Sequence, residues 1–379
     1  MHFGQRLGIL GGGQLARMTL QAAVPFGIDT AILADTPDSP AGRVARHEVA
    51  GGWHDDAALR RFADLVDVIT LENEFVDASV LERLVQWRKQ VRPGAPVLQA
   101  IGDKLIQKQT LADAGLPVPR FGAIGFPTDI APAATRFGWP LIVKARRNGY
   151  DGYGNATLHA PQDSESALNR LGWPQRELFV EQMVPFVREL AVLVARGVDG
   201  AWVTYPVVET VQRNHICHLV RAPAQIPASL AHKATAIARA AVDAVNGVGI
   251  TAVELFQTAD DTILINELAP RPHNSGHFSI DACHTSQFEN HVRAVLGLPL
   301  GDPSLRVEAA VMVNLLGERD GITEAHGIGD ALQHPHVHVH LYGKRDVRWG
   351  RKMGHVTALG MDLHETEARA LAAARAIKL

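Results

Sequence analysis

The sequence predicts an α/β to α+β fold in several domains, and three observations lead there. The chain has 379 residues, enough for two or three domains with cores of their own. Its first thirty-five residues read as strand, glycine-rich turn, helix and strand, the opening of a parallel sheet. Further along, ELAVLVAR with AWVTYPVVET, and ITAVELF with TILINEL, read as antiparallel hairpins.

The first strand is LGIL (7–10), and GGGQLA then leads into the helical pattern LARMTLQAAVPF. Gly27 is a helix stop, and IDTAILAD (28–35) is the next strand. Val66 to Leu71 reads as another buried strand, with an amphipathic helix following near 79–90, so the first hundred residues form a doubly wound domain. From Asp103, KLIQKQTLADAG makes a helix closed by Gly115, and PVP breaks the chain. LIVKAR (141–146) is a strand running into the glycine-rich NGYDGYGN, and ELFVEQ (177–182) is another. A helix spans 229–246. VEAAVMVNLLG and HVHVHLYG are late strands, and an Ala-rich helix ends the chain.

Composition excludes several functions. The chain is 46% hydrophobic and 20% charged with net charge −3, so it offers neither a basic nucleic-acid surface nor an acidic disordered tail. Cys217 and Cys283 are the only cysteines, far apart, which argues against a disulfide framework or a structural zinc site. MHFGQRLGILGGG lacks the regions of a signal peptide, and no apolar run approaches the length of a membrane span. The expected location is cytoplasmic.

Four motifs carry chemistry. Gly11, Gly13 and Ala16 satisfy G-x-G-x-x-A after a strand, with Asp35 ending the next strand. The same turn serves any phosphorylated ligand, or simply packs a helix on a sheet, and those readings are favoured over a nicotinamide cofactor. RRNGYDGYGN follows Lys144, and a lysine ending an apolar run beside a loop of exposed N–H groups suits phosphate. A loose hairpin tip with a lysine reaching for water is the plainer alternative.

The strongest signal is the pair Glu254 and Glu267. With Asp260 and Asp261 as the two central residues of a hairpin turn, the two glutamates fall directly opposite one another among apolar neighbours. A divalent cation turns that repulsion into attraction, and oxygen ligands without His or Cys point to Mg²⁺. A different turn register would send one carboxylate to the other face. The fourth motif is the loop after Glu267, APRPHNSGH, where Arg271 can hold a carboxylate-like anion between two stiffening prolines.

Two further stretches are ambiguous. YGKRDVRWGRKMGH (342–355) gathers Lys344, Arg345, Arg348, Arg351 and Lys352, as an anion site or a solvated basic hairpin. His334, His336, His338 and His340 alternate with no acidic neighbour, which favours a half-exposed strand face over a metal site.

Taken together, GILGGGQLARM, ITLENE, DKLIQKQ, KARRNGYDGYGN, VEQMVPFVREL, INELAPRPHNSGH, TSQFENH and YGKRDVRWGRKMGH resemble the ATP-grasp superfamily. Within it they resemble the 5-(carboxyamino)imidazole ribonucleotide synthase family, over nearly the whole chain. The resemblance implies a Rossmann-like N-terminal domain over 1–102 and an ATP-grasp domain over 103–298 with its lid at about 117–182. A C-terminal region, 299–379, completes the ATP-grasp fold. It also implies carboxylation of 5-aminoimidazole ribonucleotide with bicarbonate and ATP through carboxyphosphate, with Mg²⁺ as cofactor, no nucleic-acid or membrane partner, and a homodimer.

For the nucleotide, the family pattern implies Lys104, Lys144, Gly149, Tyr150, Asp151, Gly152 and Gly154 around the phosphates. Glu181, Gln182, Met183 and Val184 would lie at adenine and Glu189 at the ribose. Glu254 and Glu267 would bind metal beside Asn266. For the imidazole ribonucleotide it implies Gln14, Glu72, Arg271, His273, Asn274, Ser275, Lys344, Arg351 and Lys352. Tyr150, Asp151, Arg271, His273 and Lys352 are the catalytic candidates, and the amine proton has Tyr150, Asp151 or the leaving phosphate to go to. The chain departs from the pattern at Tyr153, where a basic residue is usual, at Trp349 for Pro and at Ala16 for Gly. Three alternatives stay open: another ATP-grasp purine ligase such as a formate-dependent glycinamide ribonucleotide transformylase, a nicotinamide dehydrogenase, and a nucleotide-binding regulator.

Overall fold

The computed structural model describes residues 4–149 and 154–379. Short, uniformly apolar runs near the N-terminus become strands buried on both faces, as a parallel sheet requires. Leu7–Leu10 (β1), Thr30–Ala34 (β2), His47–Ala50 (β3), Val68–Leu71 (β4) and Gln90–Val91 (β5) are all parallel, in the order β3-β2-β1-β4-β5. Gln14–Ala23 (α1) packs on one face. Asp56–Leu65 (α2), Ala78–Gln86 (α3) and Ala95–Ile101 (α4) cover the other. The helix expected to reach residue 26 changes at Val24 to a 3-10 turn, which Gly27 closes at φ 64. Strand order reverses between β1 and β4, so the crevice beyond their C-terminal ends is where such a sheet takes a ligand.

Lys104–Asp113 (α5) starts at Asp103, whose carboxylate accepts from Leu105 N at 3.0 Å. A small antiparallel sheet follows, built from Phe121–Ile124 (β6), Leu141–Ala145 (β7), Asn155–Leu158 (β8) and Leu178–Gln182 (β9) in the order β6-β9-β7-β8. Ile130–Phe137 (α6) and Ser164–Leu171 (α7) bury its apolar residues.

The remaining strands make one large sheet. Phe186–Arg196 (β10), Trp202–Thr204 (β11), Val208–Arg213 (β12), Ile216–Ala222 (β13), Gly249–Thr258 (β14) and Ile263–Ala269 (β15) form its first part. Ala309–Leu316 (β16) continues it, while Gly321–Ile322 (β17) leaves to pair elsewhere. Val337–Leu341 (β18) returns to the sheet, Asp346–Val347 (β19) pairs with β17, and Lys352–Gly360 (β20) completes it. The order is β15-β14-β10-β12-β13-β16-β20-β18, with β11 also on β10. The expected strand AWVTYPVVET is therefore two, divided around Pro206, which has no N–H for the ladder.

Ala228–Val245 (α8) packs against β10, β14 and β15. Ser279–Ala282 (α9) and Gln287–Leu296 (α10) follow β15. Val292 and Val295 of α10 share a cluster with Leu7 and Val68, which joins the large sheet to the N-terminal one. Ile328–Ala331 (α11) and Leu363–Ala376 (α12) cover the C-terminal strands. Of the four alternating histidines only His338 and His340 lie in β18. The acidic partner missing from their local sequence is Asp281 of α9, 2.9 Å from His340 Nε2 and 3.5 Å from His338 Nδ1.

Candidate active site

The β14–β15 pair brings the two glutamates together by a route the sequence did not predict. Its turn has three residues, not two: Thr258 N donates to Thr262 O at 3.0 Å, and Asp261 takes φ 59. An aspartate tolerates that left-handed position. Leu255 consequently pairs with Ile265, one residue away from the expected register, until a bulge at Asn266 restores Glu254 opposite Glu267. The bulge also re-aims side chains. Ile265 and Leu268, three residues apart, both enter the core, while Asn266 Nδ2 donates to Glu254 Oε2 at 3.3 Å on the other face.

The pair is electrostatically unequal. Burial, then the Glu267 charge, pushes Glu254 up to about 8. Burial opposes ionisation of Glu267 as well, but the Lys104 ammonium lies against it and pulls it down to about 2. Beside them Asn266 Oδ1 is buried and accepts no hydrogen bond. Two carboxylates and an orphaned amide oxygen make a hard oxygen donor set, which fits a small divalent cation.

Helix α5 is fastened to the edge of β15. Gln107 Oε1 accepts from Leu268 N at 2.9 Å while its Nε2 donates to Leu268 O at 3.1 Å. Lys108 Nζ donates to Ile265 O at 3.0 Å, and Ile265 N donates to Pro117 O at 2.8 Å. An edge strand is thereby closed to foreign pairing, and Lys104, one turn before Lys108, is set against Glu267.

The small sheet supplies the other wall. Lys144 of β7 and Lys108 both contact the carboxylate of Glu181, which is 1% exposed. The Glu181 side chain, expected beside adenine, is thus enclosed between two ammonium groups, because a buried carboxylate needs partners. Gln182 Oε1 accepts from Arg120 Nε at 3.0 Å, Met183 is exposed, and Val184 is buried at the exit of β9. Glu189 lies on β10, and burial raises its pKa despite its bond to Gln212. Gly149 precedes and Gly154, at φ 93, follows the segment in which Tyr150, Asp151, Gly152 and Tyr153 lie outside the described residues.

At the crevice between β1 and β4 the glycine-rich turn already holds a carboxyl group, whose pKa burial raises against the pull of the backbone N–H groups it accepts from. Glu72 accepts from Gly13 N at 2.6 Å and from Leu15 N at 3.2 Å, occupying the N–H groups that a dinucleotide would need. A Cβ at either Gly11 or Gly13 would collide with that carboxylate. Gln14 opens α1 beside it. Glu74, two residues on, binds Arg271 through both Nε and Nη2, the latter at 3.0 Å. The hold expected of Arg271 on a carboxylate-like anion is therefore taken, at two points, by an internal carboxylate.

The loop after β15 is held by neighbours that the sequence reading passed over. His273 Nδ1 lies 2.9 Å from Ser275 Oγ, and its Nε2 is 3.5 Å from Glu254 Oε1. Burial, then Arg271 and Lys352, lowers His273 to about 3, so its ring is neutral. Gln287 of α10 clamps its backbone, accepting from His273 N at 2.9 Å and donating to His273 O at 2.8 Å. Asn274 and Asn314 exchange amide hydrogen bonds of 2.9 and 2.7 Å, which ties the loop to β16 and occupies the Asn274 side chain.

From the basic segment, Lys344 Nζ donates to Lys352 O at 2.6 Å and Arg351 Nη1 to Asp346 O at 2.7 Å. Burial raises the pKa of both Glu254 and Glu72. The charge of Lys352 opposes that rise at Glu254 and the charge of Lys344 opposes it at Glu72, while Lys352 adds to the lowering of His273, so the two lysines act on the acidic residues of the site. The Arg351 side chain bonds within the basic segment, while its carbonyl accepts from Gly317 N at 2.9 Å. The pieces meet where three layers converge: the N-terminal crevice, the small sheet, and the edge of the large sheet.

Known proteins resemble the chain over nearly its whole length. Residues 4–102 match the ribonucleotide synthetase preATP-grasp domain, 109–288 the ATP-grasp domain, and 310–369 the phosphoribosylaminoimidazole carboxylase C-terminal domain. The N5-carboxyaminoimidazole ribonucleotide synthase of Synechococcus elongatus is 43% identical, over 93% of this chain and 89% of its own. The carboxyaminoimidazole ribonucleotide synthase of Aspergillus clavatus, solved with ATP, superposes with a TM-score of 0.90 at 35% identity, covering 98% of each chain. The same enzyme solved with ADP and 5-aminoimidazole ribonucleotide gives 0.88 at 34%, covering 97% of each. The chain belongs to the N5-carboxyaminoimidazole ribonucleotide synthase family of ATP-grasp ligases.

Proposed function

We propose that this ligase joins bicarbonate to the exocyclic amine of 5-aminoimidazole ribonucleotide, with ATP converted to ADP and phosphate. One observation carries the reading: an acidic pair with an orphaned amide oxygen, flanked by Lys104, faces the loop holding Arg271 and His273. Bicarbonate oxygen attacks the γ-phosphorus, ADP leaves, and carboxyphosphate results. The amine then attacks its carbonyl carbon, the C–N bond forms as phosphate departs, and the amine proton passes to that phosphate, Tyr150 or Asp151.

Lys104 and Lys144 would hold the phosphates, under the segment from Gly149 through Tyr150, Asp151 and Gly152 to Gly154. Gln182, Met183 and the backbone of Val184 would border adenine, and Glu189 the ribose. Glu254, Glu267 and Asn266 would hold Mg²⁺, whose bound charge offsets that of the triphosphate. Gln14, Glu72, Ser275, Lys344 and Lys352 would line the ribonucleotide pocket. Arg271 and His273 act at its reacting end, while Asn274 and Arg351 support the walls. The neutral His273 ring adds a hydrogen-bonding group without adding charge. Enclosure of the site protects carboxyphosphate from water.

The division into 1–102, 103–298 and 299–379 follows from the same reading, with 117–182 as the lid. So do a homodimer and a cytoplasmic setting. Among the described residues no helix is long and apolar enough to cross a membrane.

The test is phosphate release from ATP and Mg²⁺ in bicarbonate buffer, with and without 5-aminoimidazole ribonucleotide. Strong stimulation by the ribonucleotide is expected. ATP binding without stimulation would replace the acceptor, and no ATP binding would remove the reading altogether.

A further inference from the structure

Lys108 is 2% exposed, so it cannot itself reach a substrate, yet it carries an ammonium group into the root of the nucleotide cleft. Its Nζ lies 2.6 Å from Glu181 Oε1 and 3.0 Å from Ile265 O. The other oxygen of Glu181 contacts Lys144 Nζ. Glu181 thus has one negative charge between two positive ones. Lys144 is the partner nearer solvent, at the end of β7, where the chain turns toward the glycine-rich segment.

The charge balance decides what Lys144 can do. With Lys108 in place the triad carries a net positive charge, and the exposed end of that charge is Lys144. Without Lys108, Glu181 and Lys144 become a neutral pair. Attraction between opposite charges at contact distance in a poorly hydrated pocket is strong, so Lys144 would be held back from any incoming phosphate. We infer that Lys108 is a positioning residue for ATP: it offsets the charge of Glu181 and so leaves the charge of Lys144 available to the nucleotide. The inference rests on Lys144 being a phosphate ligand, as proposed above. The contact with Ile265 O places Lys108 beside the Asn266 bulge as well, so one ammonium group links both walls of the cleft.

The test compares ATP binding, by calorimetry with ATP and Mg²⁺, in the intact chain carrying Lys108→Met, Glu181→Gln, both together, or Lys144→Met. Lys108→Met should weaken ATP by about tenfold or more, the scale of one uncompensated charge near contact. Adding Glu181→Gln to Lys108→Met should return affinity to within about threefold of wild type, because nothing then neutralises Lys144. A double variant that folds and binds as weakly as Lys108→Met overturns the inference, since a filler of the core would not be rescued by removing a charge. Should Lys108→Met alone not fold, the double variant is compared with Glu181→Gln. Equal affinity is expected, and a tenfold deficit in the double variant overturns the idea. Unchanged binding in Lys144→Met would instead remove the parent reading of Lys144.

Discussion

Glu254 faces Glu267 because Asn266 is the extra residue of a β-bulge, and the same bulge turns Asn266 itself toward Glu254. A regular strand would send residues 266 and 267 to opposite faces. Here both reach the site, and Ile265 and Leu268 take the core. One local irregularity therefore assembles three oxygen-bearing side chains.

Glu267→Gln is expected to abolish turnover while leaving the fold intact. It keeps the shape and the Lys104 contact but removes the charge that a cation and the phosphates need. Ribonucleotide-stimulated phosphate release should fall by at least about 100-fold, with circular dichroism unchanged. Near-wild-type activity that still requires magnesium would end the metal assignment.

The pairing of Glu254 with Glu267 was readable in the sequence, yet through a compensation. The spacing predicts a two-residue turn and the chain makes one of three, because Asp261 accepts a left-handed conformation, and the bulge cancels the slip. Local spacing shows neither event. Strands such as LGIL and the helix over 228–245 were readable, because apolar runs and periodicity are local. Glu74, Lys108 and Gln287 were not. Each acts on a residue far along the chain, Arg271 for Glu74 and Glu181 for Lys108, and only the folded topology supplies the partner. Gln287 reaches back to His273 in the same way, from within the recognised TSQFENH stretch.

Gly13→Ala should separate the two substrates. Its Cβ would overlap the Glu72 carboxylate, which must then leave the N–H groups of Gly13 and Leu15. That damage is confined to the crevice between β1 and β4. KM for 5-aminoimidazole ribonucleotide should rise by about tenfold or more, with ATP affinity measured by calorimetry unchanged. Equal loss of both substrates would mean that the crevice is not a separate subsite.

Glu74→Gln tests the two-point grip on Arg271. Both groups are largely buried, so removing one charge leaves the other without its partner and should cost about 2 kcal/mol of stability, discounted for their residual exposure. Arg271 then gains freedom to swing. The expected result is a kcat lower by about tenfold with KM for ATP little changed. A variant losing stability but keeping kcat would reduce Glu74 to a purely structural partner.

His291 makes stability depend on acidity at the junction between the N-terminal sheet and the large sheet. Ile250 N donates to its Nδ1 at 3.0 Å, so the neutral ring carries its proton on Nε2 and donates to Thr70 Oγ1 at 2.8 Å. Burial lowers its pKa to about 3. The unfolded chain, with an ordinary histidine near 6.5, binds the proton more readily than the folded one below that pH. Stability from this group is thus fully present above about 6.5 and is lost as pH falls toward 3, at about 1.4 kcal/mol per pH unit. Buried His273, His277 and His355 are depressed by burial too and add to the same slope. The informative quantity is therefore a difference. Urea unfolding of wild type and His291→Gln at pH 7, 6 and 5 should show the variant less stable at pH 7 but shallower in its pH dependence, by about one proton. Parallel pH curves for the two proteins would mean that His291 is not the group being titrated.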